Sequence, residues 1–198
     1  RCAFCPNGKT MTKLTHGRMD VPLFERLADE CCAHRPQRIS PYLMNEPLLD
    51  PQIDQRIAYL VKRRQPPTVI HIATNGSLLT RDMAKRLIEA GLDSIAISFQ
   101  GFSKEVFEGS MVGLKFEETF ENVTTFLRMC QELDVPMRRR VTMVHTKLSE
   151  KDIEPARRHW TSLGAHFKVL PLYNRAHKAI SSQSLTPVSG AASPGATA

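Results

Sequence analysis

Apolar and β-branched residues gather in short runs at residues 69–73, 94–99, 140–145 and 167–172, with a weaker run at 38–44. Each run is brief and apolar on successive positions, the pattern of a strand buried on both faces. Between the runs the apolar positions recur with helical spacing. Residues 21–34 put Leu23, Phe24, Leu27, Ala28 and Cys31 on one face, and residues 52–64 do the same with Ile53, Ile57, Leu60 and Val61. Residues 81–90 repeat the pattern with Met83, Ala84, Leu87 and Ile88 and are expected to stop at Gly91, a good C-terminal cap. Residues 116–133 and 150–163 supply two further helices, the second ending before Gly164.

Helix and strand therefore alternate about five times along the chain. Strict alternation implies parallel strands joined by right-handed crossovers. Two architectures satisfy it, a doubly wound open sheet and a full or partial (β/α) barrel, and in both the chemistry gathers at the carboxyl ends of the strands. The segments expected there are Asn45-Glu46-Pro47, Thr74-Asn75-Gly76, Ser98-Phe99-Gln100-Gly101, His145-Thr146-Lys147 and Tyr173-Asn174-Arg175. Each ends an apolar strand in groups that donate or accept hydrogen bonds. One such end is an ordinary turn; five in register read as the rim of a site for a polar ligand.

Composition narrows the class. With 41% hydrophobic and 24% charged residues, the 198-residue chain has the make-up of a globular domain with a real core. It has no apolar run long enough for a transmembrane helix, so no membrane partner is expected. The net charge of +7 suits acidic partners such as phosphates or nucleic acid, although Lys62-Arg63-Arg64, Arg138-Arg139-Arg140 and Arg157-Arg158 are scattered and read first as solvated faces. Residues 177–198 are small, Pro- and Ser-containing and nearly uncharged, and are expected to form a disordered tail after a single domain at 1–176. Five cysteines without regular spacing argue against a disulfide framework and for a reducing, cytoplasmic setting. Cys31, Cys32 and Cys130 fall in helical patterns and read as small buried hydrophobes.

Cys2-Ala3-Phe4-Cys5 stands apart. A C-x-x-C holds zinc, part of an iron–sulfur cluster or a reversible disulfide. No second pair at zinc spacing accompanies it, and Pro6, Asn7 and Gly8 place it in a loop, which suits thiolates converging on a cluster. Arg1-Cys2-Ala3-Phe4-Cys5-Pro6 resembles the last part of the Cys-x3-Cys-x2-Cys loop of radical S-adenosylmethionine (SAM) enzymes, with Phe4 in the aromatic place. Gly17-Arg18-Met19, Asn45-Glu46-Pro47, Thr74-Asn75-Gly76, Phe107-Glu108, Gly113 and Glu121-Asn122-Val123 extend the resemblance in order and spacing. Tyr173-Asn174-Arg175-Ala176 is similar to the segment before the cysteine-rich extension of the peptide-modifying, SPASM-type subgroup, although no cysteine follows.

The resemblance implies an α/β fold, a partial (β/α)6 TIM-like barrel of parallel strands. Its first strand and first cluster cysteine are expected upstream of Arg1, so that the chain is expected to be a truncated core, inactive alone. It implies a [4Fe–4S] cluster held in part by Cys2 and Cys5, with SAM on the open iron and its reductive cleavage giving a 5′-deoxyadenosyl radical that abstracts a substrate hydrogen. SAM would be met by Glu46 through its ammonium, by Thr74 and Ser98 at the ribose or carboxylate, by the Phe4 backbone near the adenine, and by Asn45, Asn75 and Gln100 on the same rim. No catalytic acid, base or radical-bearing side chain is singled out. Gln100, His145 and Arg175 are candidates for substrate contact. The implied partners are a flavodoxin- or ferredoxin-like electron donor and a peptide or protein substrate. A radical SAM methyl- or methylthiotransferase acting on RNA is the alternative that the charge suits, and a non-catalytic zinc-binding C-x-x-C module is the alternative from another class.

Overall fold

A computed structural model describes residues 17–43 and 45–172. Asp20 accepts from the Leu23 N–H at 2.7 Å and starts helix α1 (Val21–Ala33), with Pro22 in its first turn, where a missing N–H costs nothing. Strand β1 (Arg38–Ile39) and a 3-10 turn (Pro47–Leu49) lead into α2 (Ile53–Arg63). Then follow β2 (Val69–Thr74), α3 (Arg81–Glu89), β3 (Ser94–Ser98), α4 (Lys104–Ser110) and α5 (Phe116–Glu132). Strand β4 (Arg138–His145), a 3-10 turn (Glu150–Asp152), α6 (Ile153–Ser162) and β5 (His166–Pro171) complete the described chain.

The five strands form one parallel sheet in the order β1-β2-β3-β4-β5. That order separates the two architectures left open by the alternation. A doubly wound sheet reverses its order at a switch point so that helices cover both faces. Consecutive order with crossovers of one hand keeps the helices on a single face, as in the wall of a (β/α) barrel. The burial agrees. Ile70, Ile72, Ile95, Ile97, Val141 and Met143 share one face by register and are fully buried. The other face carries Ala73, Ala96, Ser98 and Thr142 towards the carboxyl ends, and His71, Ser94, Arg138, Arg140 and His166 towards the amino ends. The fold is a five-stranded arc of a barrel, and no described helix covers its inner face.

Aromatic packing closes the helix side under β3 and β4. Phe99 lies 4.5 Å from Phe107 and 5.1 Å from Trp160, ring centre to ring centre, and Phe102 and Phe120 both pack edge-on or tilted against the Trp160 ring. Each such pair is worth about 0.5–1.5 kcal/mol beyond the area it buries.

Three local expectations need correction. The run at 38–44 pairs over two residues only, because Pro41 offers no N–H to a ladder and the chain turns away after Ile39. Helix α4 was not expected, since its seven residues bury only Val106, Phe107 and Ser110 and show no periodicity. Cys31 is exposed while Cys32 and Cys130 are buried, so the inner face of α1 runs through Ala28 and Cys32 and not through Leu27 and Cys31. Burial raises the thiol pKa of Cys32 and Cys130. Among the described residues no helix is long and apolar enough to cross a membrane. The expected tail at 177–198 lies outside them.

Candidate functional site at the carboxyl ends of the strands

Glu46 is where the rim is tightest. Pro47 opens the 3-10 turn after β1 and Glu46 caps it, its Oε1 accepting from the Leu48 N–H at 3.2 Å. The same oxygen accepts from the Thr74 hydroxyl at 2.6 Å, and Oε2 accepts from the Asn75 N–H at 2.8 Å. One carboxylate therefore joins the loop after β1 to the end of β2. Burial raises its pKa above the ordinary 4.5, while the bonds from Thr74, Asn75 and Leu48 pull the other way. No cationic side chain among the described residues pairs with it. Three protein donors leave about one lone-pair position of the carboxylate unused.

The Thr74-Asn75-Gly76 segment is held from several sides. Thr74 donates to Glu46 and accepts from the Gly76 N–H at 3.1 Å, so its hydroxyl is fully engaged. Asn75 Oδ1 accepts from the Ser77 N–H at 2.8 Å and from its hydroxyl at 2.6 Å, forming an Asx turn. Asn122 on α5 donates to the Ser77 carbonyl at 3.0 Å. Its neighbour Val123 presses on Gly76, where φ is +79° and a Cβ would come within 2.7 Å of the valine methyl. This gives a physical reason for Glu121-Asn122-Val123 to accompany Thr74-Asn75-Gly76: one segment packs the other.

At the end of β3 the residues divide. Ser98 lies on the bare inner face, opposite Thr142 in register, and its hydroxyl makes no hydrogen bond among the described residues. Gln100 is buried and its Oε1 accepts from the Val144 N–H at 2.7 Å, extending the β3–β4 pairing by a side chain. Gly101 (φ +131°) passes so close to α4 that a Cβ would stand 2.6 Å from the Phe107 N. Asp152 then holds the following loop, Oδ2 accepting from the Phe102 and Ser103 N–H groups at 2.6 and 2.8 Å. By register His145 shares the helix-side face with Met143, away from Ser98.

Gly17-Arg18-Met19 reaches the same corner. Arg18 donates to the Leu49 carbonyl at 3.3 Å, and the buried Arg56 donates to the Met19 carbonyl at 2.6 Å while pairing with Asp50 at 2.9 Å. Arg56 and Asp152 had no signal in the sequence, because each acts on a backbone far along the chain, whereas Asn122 was marked only by the motif it belongs to. Asn45 is exposed beside Glu46. Cys2, Phe4, Cys5, Tyr173, Asn174 and Arg175 lie outside the described residues, and among the described ones no group of three or more His, Cys, Asp or Glu could hold a metal.

A half-buried carboxylate with no cationic partner and one unused acceptor position among the described residues, on the same rim as a hydroxyl without a described partner, fits a ligand that presents an ammonium and hydroxyls. Fold and rim together define a (β/α)-barrel protein with its site at the carboxyl ends. The sequence profile of the Radical SAM superfamily matches residues 1–159, and the chain belongs to that family of enzymes, which use a [4Fe–4S] cluster and SAM. The GTP 3′,8-cyclase of Rippkaea orientalis is 36% identical over 83 residues, 40% of this chain and 25% of that protein. Streptococcus suis SuiB bound to its precursor peptide SuiA superposes with a TM-score of 0.69 at 17% identity, over 87% of this chain and 36% of SuiB. The methyltransferase TsrM of Kitasatospora setae, solved with cobalamin and a [4Fe–4S] cluster, gives 0.53 at 17%, over 75% of this chain and 30% of TsrM. The chain thus spans only about a quarter to a third of these relatives.

Proposed function

We propose that this chain is the SAM-binding and radical-generating part of a radical SAM enzyme, with Glu46 accepting from the ammonium of SAM. The observation that carries the reading is the half-buried Glu46 carboxylate, fixed between Thr74 and Asn75 and paired with no cation among the described residues. A charge-assisted bond to an ammonium offsets its desolvation and uses the remaining lone pair. Thr74, Asn75 and Gln100 act here by positioning: the first two aim the carboxylate and the third holds the β3 end against β4. Ser98, and Asn45 from the loop, are left to meet the ribose and carboxylate, and the Phe4 backbone the adenine. Cys2 and Cys5 hold the cluster. Bound there, the cluster would supply the one electron that splits SAM into methionine and a 5′-deoxyadenosyl radical, the species that would take a hydrogen atom from substrate. The protein's own task is to orient SAM and keep water away.

The test is Glu46→Gln in the protein carrying its complete cysteine motif. The glutamine keeps an acceptor for Thr74 but loses the charge, so the Kd for SAM should rise roughly tenfold to a hundredfold, the value of a charge-assisted hydrogen bond. Iron content should not change. Unchanged SAM affinity would overturn the reading. A peptide substrate is the reading favoured by the SuiB–SuiA complex, whose barrel this chain shares; cross-linking of a peptide library with and without SAM tests it. An electron donor of the flavodoxin or ferredoxin kind belongs to the same proposal and is tested by 5′-deoxyadenosine formation with each donor in place of dithionite.

A further inference from the structure

The inner face of the sheet changes character along its length. Towards the carboxyl ends it carries Ala73, Ala96, Ser98 and Thr142, with Val144, Leu170 and the single cation Lys168 at its β4–β5 side. Towards the amino ends it holds Arg38 on β1, His71 on β2, Ser94 on β3, Arg138 and Arg140 on β4, and His166 on β5. These six line an open cavity of about 1060 Å³, and none of its lining residues is acidic.

The cations there are uncompensated. Arg38, Arg138, Arg140 and His166 form no ion pair among the described residues, whereas Arg56, Arg64 and Arg86 each have an aspartate. Arg140 Nε is buried without a partner. Arg140 also stands directly opposite His166, and Ser94 opposite Arg138. Burial, and after it the charges of Arg38, Arg140 and Arg138, lower the pKa of His71, so all three guanidiniums act on one point. Among the described residues no Asp or Glu lines this cavity or pairs with these cations. Like charges facing each other across strands destabilise a sheet. A cavity that gathers them without a counter-charge is built for an anion brought from outside.

We propose that this amino-end cavity binds a phosphate-bearing group, with Arg38, Arg138 and Arg140 as its guanidinium donors; the Ser94 hydroxyl beside them is engaged with His71 Nδ1 at 3.1 Å. Guanidinium groups match phosphate oxygens two at a time, which a scatter of lysines would not. Ser94 and Ser98 lie on the same face four residues apart, roughly 13 Å at the rise of a parallel strand. A phosphate ester anchored at the amino end could therefore extend its carbon skeleton to the carboxyl-end rim. That the anchored molecule is the substrate rests on the radical SAM reading; the anion site itself does not.

The experiment is calorimetric titration of the full chain with pyrophosphate, without SAM or iron, at low and moderate salt. Wild type should bind, and the Arg38→Gln/Arg140→Gln variant should bind at least about tenfold more weakly, the loss expected for charge-assisted contacts. Arg38→Lys/Arg140→Lys should fall between the two, since it keeps the charge and loses the fork. Arg158→Gln, on the exposed side of α6, should bind as wild type does. Circular dichroism of each variant checks that it folds. No binding by folded wild type, or equal binding by the Gln double variant, would overturn the proposal. So would a short RNA binding far more tightly than pyrophosphate with a salt slope of many phosphates, because that describes a backbone groove and not a single-group cavity. Failure here leaves the SAM site untouched, since that reading stands on SAM affinity and the Glu46→Gln variant.

Discussion

The two faces of this sheet were shaped by different demands. On the helix side, Ile70, Ile72, Ile95, Ile97, Val141 and Met143 are sealed from water, and their identity is explained by volume and shape alone. On the inner side the same strands carry mostly small and polar residues, alanine, serine, threonine, histidine and arginine, with Val69, Val144 and Leu170 as the apolar exceptions and none of them among the fully buried large side chains. Strand residues alternate between faces, so each strand serves both demands at once. The contrast shows where to look for chemistry in such a fold: on the face that packing does not need.

Breaking the packed face should cost most. Trp160→Ala removes the ring against which Phe99, Phe102 and Phe120 pack, and should destabilise the protein by about 3–5 kcal/mol, read from urea unfolding midpoints. Gly101→Ala tests the junction of the faces. Its φ of +131° and the 2.6 Å approach to Phe107 N predict a cost of at least about 1–3 kcal/mol, with hydrogen exchange accelerated at the β3 end. Asn122→Ala, which frees the Ser77 carbonyl, should cost about 1 kcal/mol and raise the Kd for SAM through a looser Thr74–Asn75 turn.

The inner face should answer to pH and not to truncation. Burial holds the His71 pKa below its ordinary 6.5, so the unfolded chain takes up the proton first as the pH falls. Stability should therefore drop as pH is lowered from 6.5 towards the folded-state value, and His71→Gln should flatten that slope in denaturant melts between pH 7.5 and 5.5. Glu46 works in the opposite sense at lower pH, since a carboxyl raised by burial favours the folded state on protonation, but it is common to both proteins and cancels in the difference. Smallest of all should be Arg140→Gln without added anion. Removing one of several repelling cations should leave stability within about 0.5 kcal/mol of wild type or slightly above it. A large loss would mean that the guanidinium is structural and would weaken the contrast drawn between the faces.

Much of this was legible before any coordinates. The apolar runs marked four of the strands to within two residues at each end, and the 3.6-residue spacing marked five helices. The motif order pointed to the family, and Glu46 was singled out. What escaped reading acts over distance. Thr74 and Ser98 look alike in sequence, yet one hydroxyl donates to Glu46 and accepts from Gly76 while the other makes no hydrogen bond among the described residues. Cys31 and Cys32 differ by one position, and only the rotation of α1 against its neighbours decides which is buried.

Local pattern determined the elements, because periodicity of two or 3.6 needs only neighbouring residues to show which face is apolar. It also determined that the strands are parallel, since a helix between strands leaves little else possible. Only the tertiary structure decided that the strands lie in consecutive order, which turns an ambiguous α/β sheet into part of a barrel whose inner face no described helix covers. It alone brought Arg38 into one cavity with Arg138 and Arg140, a convergence across strands that no local window of sequence contains.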